Sequence, residues 1–506
     1  MKFPVLSVTA LAVAVVSALP AADVRLEESQ AFNPRALLAC GALKLAYGGQ
    51  VFYPGQKNYT EENEHFWTPT NYLAPACVFA PQRSLEVSIA VLTITNLKAT
   101  FAVRGGGHMP IPGYANTDGG VLIALTNLNQ VTLSADASIA SVGPGRRWSE
   151  VYLALAPAGL VVLGGRVGLV GVPGLLLGGG ISFYSNQHGF ASDNVVAFEV
   201  VLASGLIVTA TSKSYSDLFW TLKGGANSFG IVTRFDILTY KSPSICAGIT
   251  QIPSTEQEGF LDAVASFGQK ESEDSKAAVI PSIFMLGALN MTVYTSALFY
   301  DGTQCDQPAL AKLNALPNIV NTYGPTTLYA YVKGTDDLIG GGTRQVFNVV
   351  SSYANREALQ IVHDTFVELV TAEIWDVAGL QASVAFQPIT KNFIQQGINK
   401  GGNPQGVDIS KAPYFWMVEN FSWTDPKDDA RIFATVKKVT TTIESKLSAA
   451  GQLARYQYLN DAGEGQKVFQ GYGPGNLAKL KAIREKYDPN RYYTDFMPGG
   501  WKVDEA

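Results

Sequence analysis

The sequence predicts an α+β fold composed of two unlike units, and three observations lead to this prediction. Short strand-like runs and helical runs follow one another irregularly, without the regular alternation of a parallel α/β fold. The texture changes after Tyr240, where glycine-rich loops stop and longer β-rich runs begin. The chain has 506 residues, of which 47% are hydrophobic. Because domains usually hold roughly 100–200 residues, this length predicts two or three of them.

The half before Tyr240 is predicted to hold short elements joined by glycine loops. The apolar residues from Arg83 to Leu97 have helical spacing. Ala203-Ser204-Gly205 marks the turn of a hairpin. Two further helices are predicted over 147–155 and 216–223. The predicted strands are 101–103, 121–125, 131–133, 139–142, 160–163, 195–202, 207–211 and 230–240.

The half after Tyr240 is predicted to form an antiparallel sheet with helices on one face. Helical runs over 356–371 and 428–449 separate some of its strands. Glycine and aromatic residues become frequent again between Tyr456 and Trp501. The predicted strands of this half are 282–285, 291–299, 328–332, 345–350 and 415–423.

Residues 1–18 have the pattern of a secretory signal peptide. Lys2 supplies the basic start, Leu6 to Val16 forms a short apolar run, and Val16-Ser17-Ala18 provides the small residues of a cleavage site. We therefore expect a secreted protein. Secretion makes three Asn-x-Ser/Thr sequons candidates for glycosylation, and they begin at Asn58, Asn290 and Asn420.

The four cysteines are expected to pair in an oxidising compartment. Cys40 and Cys77 flank an aromatic, loop-rich segment, so a disulfide between them would hold the N-terminal arm in place. Cys246 and Cys305 could pair as well. None of the four has the C-x-x-C spacing of a metal site.

Composition and charge exclude several classes of ligand. The formal net charge is −5 and the pI is about 5.6, so no overall positive field attracts nucleic acid or anionic lipid. After the signal, no segment has the roughly 18 uninterrupted apolar residues of a membrane span. The four histidines lie far apart in the sequence, without the paired spacing of a metal site. We therefore expect no nucleic acid, no membrane and no metal.

The most informative motif is Arg104-Gly105-Gly106-Gly107-His108, which follows a β-prone run. Glycine allows backbone N–H groups to turn toward a ligand, and successive N–H groups form a nest that holds phosphate. Three more glycine clusters lie in the same half, at 143–145, 171–180 and 224–230. No G-x-G-x-x-G motif opens a helix after a strand, and no G-x-x-x-x-G-K-[ST] motif occurs. The clusters together predict a nucleotide cofactor, with His108 as its point of attachment.

These residues, together with Asp118-Gly119-Gly120-Val121, resemble the flavin loop of FAD-linked oxidases of the vanillyl-alcohol oxidase/p-cresol methylhydroxylase (PCMH) superfamily. Within it the chain is similar to the berberine-bridge-enzyme-like branch, especially its secreted fungal oxidoreductases. The matching segments extend from 143–145 to 486–490 and cover nearly the whole mature chain. The resemblance implies a PCMH-type FAD-binding domain over 40–240, an antiparallel-sheet substrate domain over 241–454, and a C-terminal segment, 455–506, that returns to the first domain.

The resemblance also assigns cofactor contacts residue by residue. His108 matches the histidine that bonds to the 8α-methyl carbon of the flavin, and Asn460 matches an asparagine beside the flavin. Ile231 and Val232 match positions whose backbone meets the adenine. The other predicted cofactor-binding residues are Arg104, Gly105, Gly106 and Gly107 in the pyrophosphate loop, and Gly171, Gly174, Gly178, Gly179 and Gly180 along the isoalloxazine and diphosphate.

One departure from the family pattern affects the attachment of the cofactor. Some relatives carry a second covalent bond to the flavin, made by a cysteine. Val167 occupies that position here and cannot form a thioether, so the resemblance implies a single covalent link through His108. Leu169 lies near the position at which relatives control the access of oxygen.

The implied reaction is hydride transfer from a substrate C–H bond to the flavin, with dioxygen as the expected final electron acceptor. Tyr458 matches the family's candidate base and is expected on a short strand with a lowered pKa. Its alternative role is to pack against the substrate, and Tyr456, on the same strand face, is the alternative base. Gln387 and the strand 415–423 are expected to contact the substrate.

The expected substrate is a small organic molecule, either an alcohol or a secondary-metabolite intermediate. Two alternatives remain open at this point. One is an oxidase that acts on carbohydrates, and the other is a secreted flavin-binding protein without turnover.

Overall fold

The computed structural model of the protein describes residues 33–506, and the predicted signal peptide over 1–18 lies outside them. The first unit contains helices α1 (Pro34–Ala46), α2 (Lys57–Asn63) and α3 (Ser84–Leu97), and strands β1 (Val51–Phe52), β2 (Cys77–Phe79), β3 (Phe101–Arg104) and β4 (Val121–Ala124). The strands form a sheet in the order β1-β2-β4-β3, in which β4 runs parallel to β2 and β3. The predicted helix over 83–97 is confirmed as α3.

A second, antiparallel sheet follows, in the order β5-β6-β10-β8-β9, with β7 paired to β10. The hairpin predicted around Ala203-Ser204-Gly205 is confirmed, because β8 and β9 pair antiparallel on either side of it. The strands are β5 (Val131–Leu133), β6 (Ile139–Val142), β7 (Leu160–Val162), β8 (Val195–Val201), β9 (Ile207–Thr211) and β10 (Ile231–Lys241); the helices are α4 (Trp148–Leu155), α5 (Val172–Leu177), α6 (Ser185–His188) and α7 (Ser216–Thr221).

The third sheet has eight strands that pair antiparallel, as predicted for the second half. Its helices are α8 (Gln257–Gln269), α9 (Pro308–Asn314), α10 (Leu328–Ile339), α11 (Arg356–Ile374), α12 (Lys391–Asn399) and α13 (Asp429–Ala449). Its strands are β11 (Ile245–Pro253), β12 (Ala277–Leu286), β13 (Met291–Tyr300), β14 (Val320–Asn321), β15 (Gly324–Thr326), β16 (Arg344–Tyr353), β17 (Gln381–Ile389) and β18 (Tyr414–Trp423).

The alternation of side chains along β18 gives the large sheet two different faces. Phe415, Met417 and Phe421 are fully buried in a core with residues of α11 and α13. Their neighbours Val418 and Asn420 point to the opposite face, which lines a cavity. Helices therefore cover one face of the sheet, and the other face is available to a ligand.

The last part of the chain packs on the first two sheets. It contains α14 (Val468–Gly471), α15 (Pro474–Tyr487) and α16 (Tyr492–Asp495). The Tyr493 hydroxyl donates to the Val201 carbonyl at 2.9 Å, and the Phe101 N–H donates to the Phe496 carbonyl at 2.8 Å. These bonds attach the C-terminal segment to β8 and β3.

Two predictions of local structure are wrong. Residues 328–332 were expected to be a strand, but they begin helix α10, where the Thr327 side chain accepts a hydrogen bond from the Ala330 N–H at 3.2 Å and caps the helix. Tyr456 and Tyr458 do not lie on a strand; the backbone there is extended but unpaired and continues into a short 3₁₀ turn, Leu459–Asp461.

Both disulfides are formed. Cys40 of α1 bonds to Cys77 of β2 across a Cα–Cα distance of 6.0 Å, and Cys246 bonds to Cys305 across 5.4 Å. The predicted bond therefore joins the N-terminal helix to the first sheet. Across residues 33–506, none of the helices combines the length and the apolar character needed to cross a membrane.

Candidate functional site

A cavity of about 680 Å³ lies between the glycine loops of the first half and the free face of the large sheet. The glycine side of its wall contains Gly105 to Met109 and parts of the segment 166–181. The sheet side comes from β11, β12, β13, β16, β17 and β18. Residues 458–461 and 497–501 of the C-terminal segment complete the wall. The cavity thus brings together residues from every part of the described chain.

Strand β3 leads directly into the glycine loop at the cavity. Gly105, Gly106 and Gly107, which were predicted to bind the cofactor, all line it. Gly107 has a φ of +66°, which side chains of L-residues rarely adopt. Gly106 lies so close to Gly171 that a Cβ on either residue would overlap the backbone of the other. The loop can therefore present bare backbone to a ligand.

Arg104 does not line the cavity, although it was predicted to bind the cofactor. Its side chain is completely buried, ion-paired with Glu62, and donates to the Thr126 hydroxyl at 3.0 Å. The reason is the alternation of β3, because Val103 and Gly105 face the cavity and the residue between them must face away. Arg104 anchors the loop from behind.

The His108 imidazole lines the cavity and stacks on Trp67 with ring centroids 4.3 Å apart. Its Nδ1 is buried and has no hydrogen-bond partner within residues 33–506. Burial, helped by the positive charge of Arg147, lowers the pKa of His108 to about 3. The ring is therefore neutral at physiological pH, and its Nδ1 is a buried polar atom without a partner in the described chain.

Helix α5 and its flanking glycines form the next part of the wall. Gly171, Gly174 and Gly178 line the cavity, and a Cβ on Gly174 would meet no group within 4 Å beyond its neighbours and its own helix backbone. Gly179 and Gly180 do not line it. With φ values of +100° and +85°, these two form the turn after the helix and pack against Gln405 and Leu175.

The cavity extends to the start of β10, where it is lined by Ile231 and Val232, the residues predicted to meet the adenine. Tyr114 and Trp501 meet edge to face nearby, with centroids 5.3 Å apart. The Asn227 side chain donates to the Gly499 carbonyl at 2.9 Å and ties the C-terminal segment to this end.

Two N–H groups hold Tyr458 at the cavity. The Ile181 backbone donates to its hydroxyl oxygen at 3.1 Å, and the Asn460 side chain does so at 2.9 Å. The Asn460 amide also donates to the Leu175 carbonyl at 3.0 Å, which connects Tyr458 to the glycine segment. The Tyr458 ring stacks on Trp416 at 5.3 Å. Tyr458 and Asn460 therefore occupy one end of the cavity together.

The expected lowering of the Tyr458 pKa is wrong. Burial, with the nearby carboxylate of Asp461, raises this pKa well above its ordinary value, although the two N–H donors and Arg166 act in the opposite direction. Tyr456 does not line the cavity, and its hydroxyl donates to Gln405. Of the two candidate tyrosines, Tyr458 is thus the one that faces a ligand.

Arg166, Gln387 and Asp461 form a chain of hydrogen bonds in the cavity wall. The Arg166 guanidinium donates to Gln387 Oε1, and Gln387 Nε2 donates to Asp461 Oδ2 at 2.6 Å. Burial raises the pKa of Asp461 to about 6, while the bond from Gln387 and the charge of Arg166 lower it. Sequence analysis identifies Gln387 but neither charged residue. The one available signal was that Asp461 directly follows Asn460.

Within the described chain, the sheet side of the cavity carries no ionisable residue. It consists of neutral amides and hydroxyls interspersed with apolar side chains. The polar members are Gln251, Ser282, Thr295, Gln345, Gln381, Ser383, Gln387, Asn420 and Ser422, and the apolar members are Ile249, Ile280, Phe284, Leu286, Val293, Ala297, Phe347, Ala385 and Val418. Of the strand predicted at 415–423 to contact the substrate, only alternate residues therefore line the cavity.

The residues present fit a bound FAD. Bare glycine backbone lines the cavity where a phosphate-bearing chain needs close approach, and His108, whose Nδ1 has no hydrogen-bond partner within residues 33–506, lines the same cavity. Val167 lines the cavity, whereas Leu169 does not. All four cysteines are in disulfides, so the chain offers no free thiol to a flavin.

Comparisons with known proteins agree with this assignment. The family profile described as an FAD binding domain matches residues 75–211. The FAD-dependent monooxygenase prx3 of Penicillium roqueforti is 34% identical over 480 residues, which cover 92% of this chain and 93% of that protein. The bifunctional solanapyrone synthase of Alternaria solani is 30% identical over 497 residues, covering 94% and 93% of the two chains.

Solved structures show the same fold at lower identity. The 6-hydroxy-D-nicotine oxidase of Arthrobacter nicotinovorans has a TM-score of 0.74 and 21% identity, covering 90% of this chain and 98% of that one. The glucooligosaccharide oxidase of Acremonium strictum, which carries a 6-S-cysteinyl, 8α-N1-histidyl FAD, has a TM-score of 0.73 and 20% identity, covering 90% and 97%. The chain belongs to the family of FAD-dependent oxidoreductases that includes these fungal relatives, and the solved structures share its fold.

Proposed function

We propose that the protein oxidises a small neutral organic molecule, an alcohol or a secondary-metabolite intermediate, with FAD attached through His108 and dioxygen as the final acceptor. One observation carries the proposal. One cavity extends from the imidazole of His108 to the free face of the large sheet. Tyr458 and Asp461 line the same cavity. A cofactor and a substrate can therefore meet beside ionisable groups.

The state of His108 supports a histidyl bond to the flavin. Its Nδ1 is buried, unpartnered within residues 33–506, and neutral because the pKa of the ring is lowered to about 3. Nδ1 is the N1 atom of the imidazole, the atom that bonds to FAD in the glucooligosaccharide oxidase. Because Val167 is not a cysteine and all four thiols are in disulfides, we propose one covalent link and no second.

Bound FAD supplies a two-electron acceptor for a substrate C–H bond. The chain positions the substrate and handles its proton. We propose that the Tyr458 hydroxyl contacts the substrate oxygen, either as the base or as the hydrogen-bonding partner of the base. Its oxygen is fixed by Ile181 and Asn460, so the remaining direction of the hydroxyl is toward the ligand.

The charges around the cavity favour a neutral substrate. Arg166 and Asp461 carry opposite charges and are joined through Gln387, so they largely compensate one another. The sheet side of the described cavity adds no charge, and an ionic group buried there would lack a partner. A carbohydrate is the second candidate, because the sheet presents nine amide or hydroxyl side chains that can bond to sugar hydroxyls.

Secretion remains part of the proposal. Two disulfides are typical of proteins from oxidising compartments, and the sequon residues Asn58 and Asn290 are exposed. Asn420 lines the cavity, so we do not propose a glycan there.

Two experiments test this function. Acid-precipitated wild-type protein should remain yellow, and the peptide containing His108 should carry the mass of FAD, whereas H108A should release its flavin. Colourless wild-type precipitate would contradict the covalent link. Anaerobic bleaching of the flavin should then be screened with aromatic alcohols, polyketide-like compounds and sugars. Bleaching by sugars alone would favour the carbohydrate candidate, and no bleaching by any compound would favour a flavin-binding protein without turnover.

A further inference from the structure

We infer that Asp461 is the catalytic base of the oxidation, and that Tyr458 acts as its hydrogen-bonding partner on the same substrate oxygen. This inference rests on the proposed function. The residue that accepts the substrate proton is then one that neither the family pattern nor the sequence motif identifies.

The first support is the position of the carboxylate. Asp461 lines the cavity three residues after Tyr458 and directly after Asn460. Its Oδ2 accepts a hydrogen bond from Gln387 at 2.6 Å. Within residues 33–506, no group donates a hydrogen bond to Asp461 Oδ1. This oxygen is also not one of the buried polar atoms that lack a partner. One carboxylate oxygen is thus fixed, and the other is available to a ligand.

The second support is the state of Tyr458. Its hydroxyl oxygen already accepts two N–H bonds, from Ile181 and Asn460, and burial raises its pKa well above the ordinary value. A phenol in this state keeps its proton at neutral pH. It can therefore donate a hydrogen bond to the substrate oxygen, but it is a poor acceptor for the substrate proton.

The third support is the electrostatic setting of Asp461. The charged and titratable groups that face it are Arg166 and Tyr458, with Tyr331 next to Arg166. Burial raises the pKa of Asp461 to about 6, and the hydrogen bond from Gln387 and the charge of Arg166 limit this rise. The carboxylate is consequently ionised at pH 7 and still basic enough to take a proton, which suits a general base working near neutral pH.

The proposed step balances as follows. The substrate O–H bond breaks, and its proton passes to Asp461 Oδ1. The C–H bond breaks with its electron pair, and the hydrogen leaves as hydride to the bound FAD. A C=O bond forms in the product, which is oxidised by two electrons while FAD is reduced by two. Dioxygen then takes the two electrons and the hydride-derived hydrogen from the flavin. With one proton from solvent it becomes hydrogen peroxide, and Asp461 returns its proton to solvent before the next cycle.

The test compares D461N, Y458F and the wild-type holoenzyme by anaerobic stopped-flow reduction between pH 4.5 and 9. Wild-type reduction should slow as the pH falls below about 6, because protonated Asp461 cannot accept a proton. Flavin reduction in D461N should be slower by roughly 10²- to 10⁴-fold, and its rate should no longer fall below about pH 6. Flavin reduction in Y458F should also be slower, but its rate should still fall below about pH 6. In Q387L this fall should begin roughly one to two pH units higher, because a hydrogen bond that stabilises the carboxylate is lost.

A second readout needs no substrate. In resting holoenzyme, the infrared C=O band of a protonated carboxyl group should titrate near pH 6 and be missing from D461N. E419Q is the matched control, because Glu419 is a buried carboxyl outside the cavity whose loss should leave this band in place. A D461N enzyme that reduces its flavin at the wild-type rate, or a resting enzyme without the band, would overturn the inference while leaving the proposed oxidation intact. If no compound reduces the wild type, the proposed function fails, and the infrared titration still decides the ionisation of Asp461.

Discussion

We predict that Glu419→Gln stabilises the protein at neutral and alkaline pH but not at acidic pH. Glu419 lies on β18 between Val418 and Asn420, and its side chain points away from the cavity into the helix-covered face. It is 1% exposed. The Thr440 hydroxyl donates to Oε2, and Oε1 has no partner within residues 33–506. This is a poor site for a negative charge.

The magnitude follows from the pKa. Burial, with the nearby Glu444, raises the pKa of Glu419 from 4.5 to about 8, although the Thr440 bond lowers it. The folded state thus keeps a proton that the unfolded chain releases, so the stability of the wild type falls as the pH rises from about 4.5 to 8. At about 1.4 kcal/mol per pH unit, the full loss is about 5 kcal/mol. The side-chain amide in E419Q does not titrate, so the variant would escape this loss.

The assay is urea unfolding of the wild type and E419Q at pH 5, 6, 7 and 8. The difference in the free energy of unfolding, variant minus wild type, should grow by roughly 3–4 kcal/mol between pH 5 and pH 8. Glu273→Gln, a change at an exposed residue, is the control for a lost surface charge. If the E419Q and wild-type curves stay parallel across this range, Glu419 is not protonated in the fold and the argument from burial fails.

Two further predictions concern the site and the scaffold. Tyr458→Phe should slow anaerobic flavin reduction by at least roughly tenfold, because the hydroxyl is lost. The amount of bound FAD should not change, because the ring still stacks on Trp416. Release of FAD would instead indicate a packing role. Replacing both Cys246 and Cys305 by Ser should lower the free energy of unfolding by about 4 kcal/mol, since the bond closes a loop of 59 residues, and an unchanged urea midpoint would show that the bond adds no stability.

The glycine side of the cavity can be found in the sequence because backbone requirements select particular residues. Only glycine allows the approach of Gly106 to Gly171 and the φ of Gly107, so these positions are visible without a structure. Arg104 is the exception, because the alternation of β3 decides which way its side chain points. Gly179 and Gly180 form a turn outside the cavity wall. A run of three glycines in the sequence does not show which of them face the cavity.

The end of the cavity that holds Tyr458 and Asp461 is harder to predict because it depends on long-range contacts. Burial raises the pKa of Asp461, and the hydrogen bond that opposes this rise comes from Gln387, 74 positions away in the sequence. The Leu328–Val332 run is β-prone, yet the Thr327 cap makes it a helix. Strands β11 and β17, which both line the cavity, are also not predicted from the sequence. In β17 the alternation of Ala382, Val384 and Phe386, which are all buried, was the signal available.

The way the cavity is closed has a consequence for how the protein is made. The Ile181 N–H meets the Tyr458 hydroxyl 277 positions later, and Asn227 reaches Gly499 across 272 positions. During synthesis the glycine loops therefore leave the ribosome long before the residues that enclose them. The nascent chain must pass through a stage in which His108 has no finished chamber around it. If FAD bonds to His108 as proposed, we expect the bond to form late in biogenesis, so a ribosome-stalled chain that ends before residue 458 should carry no covalent FAD.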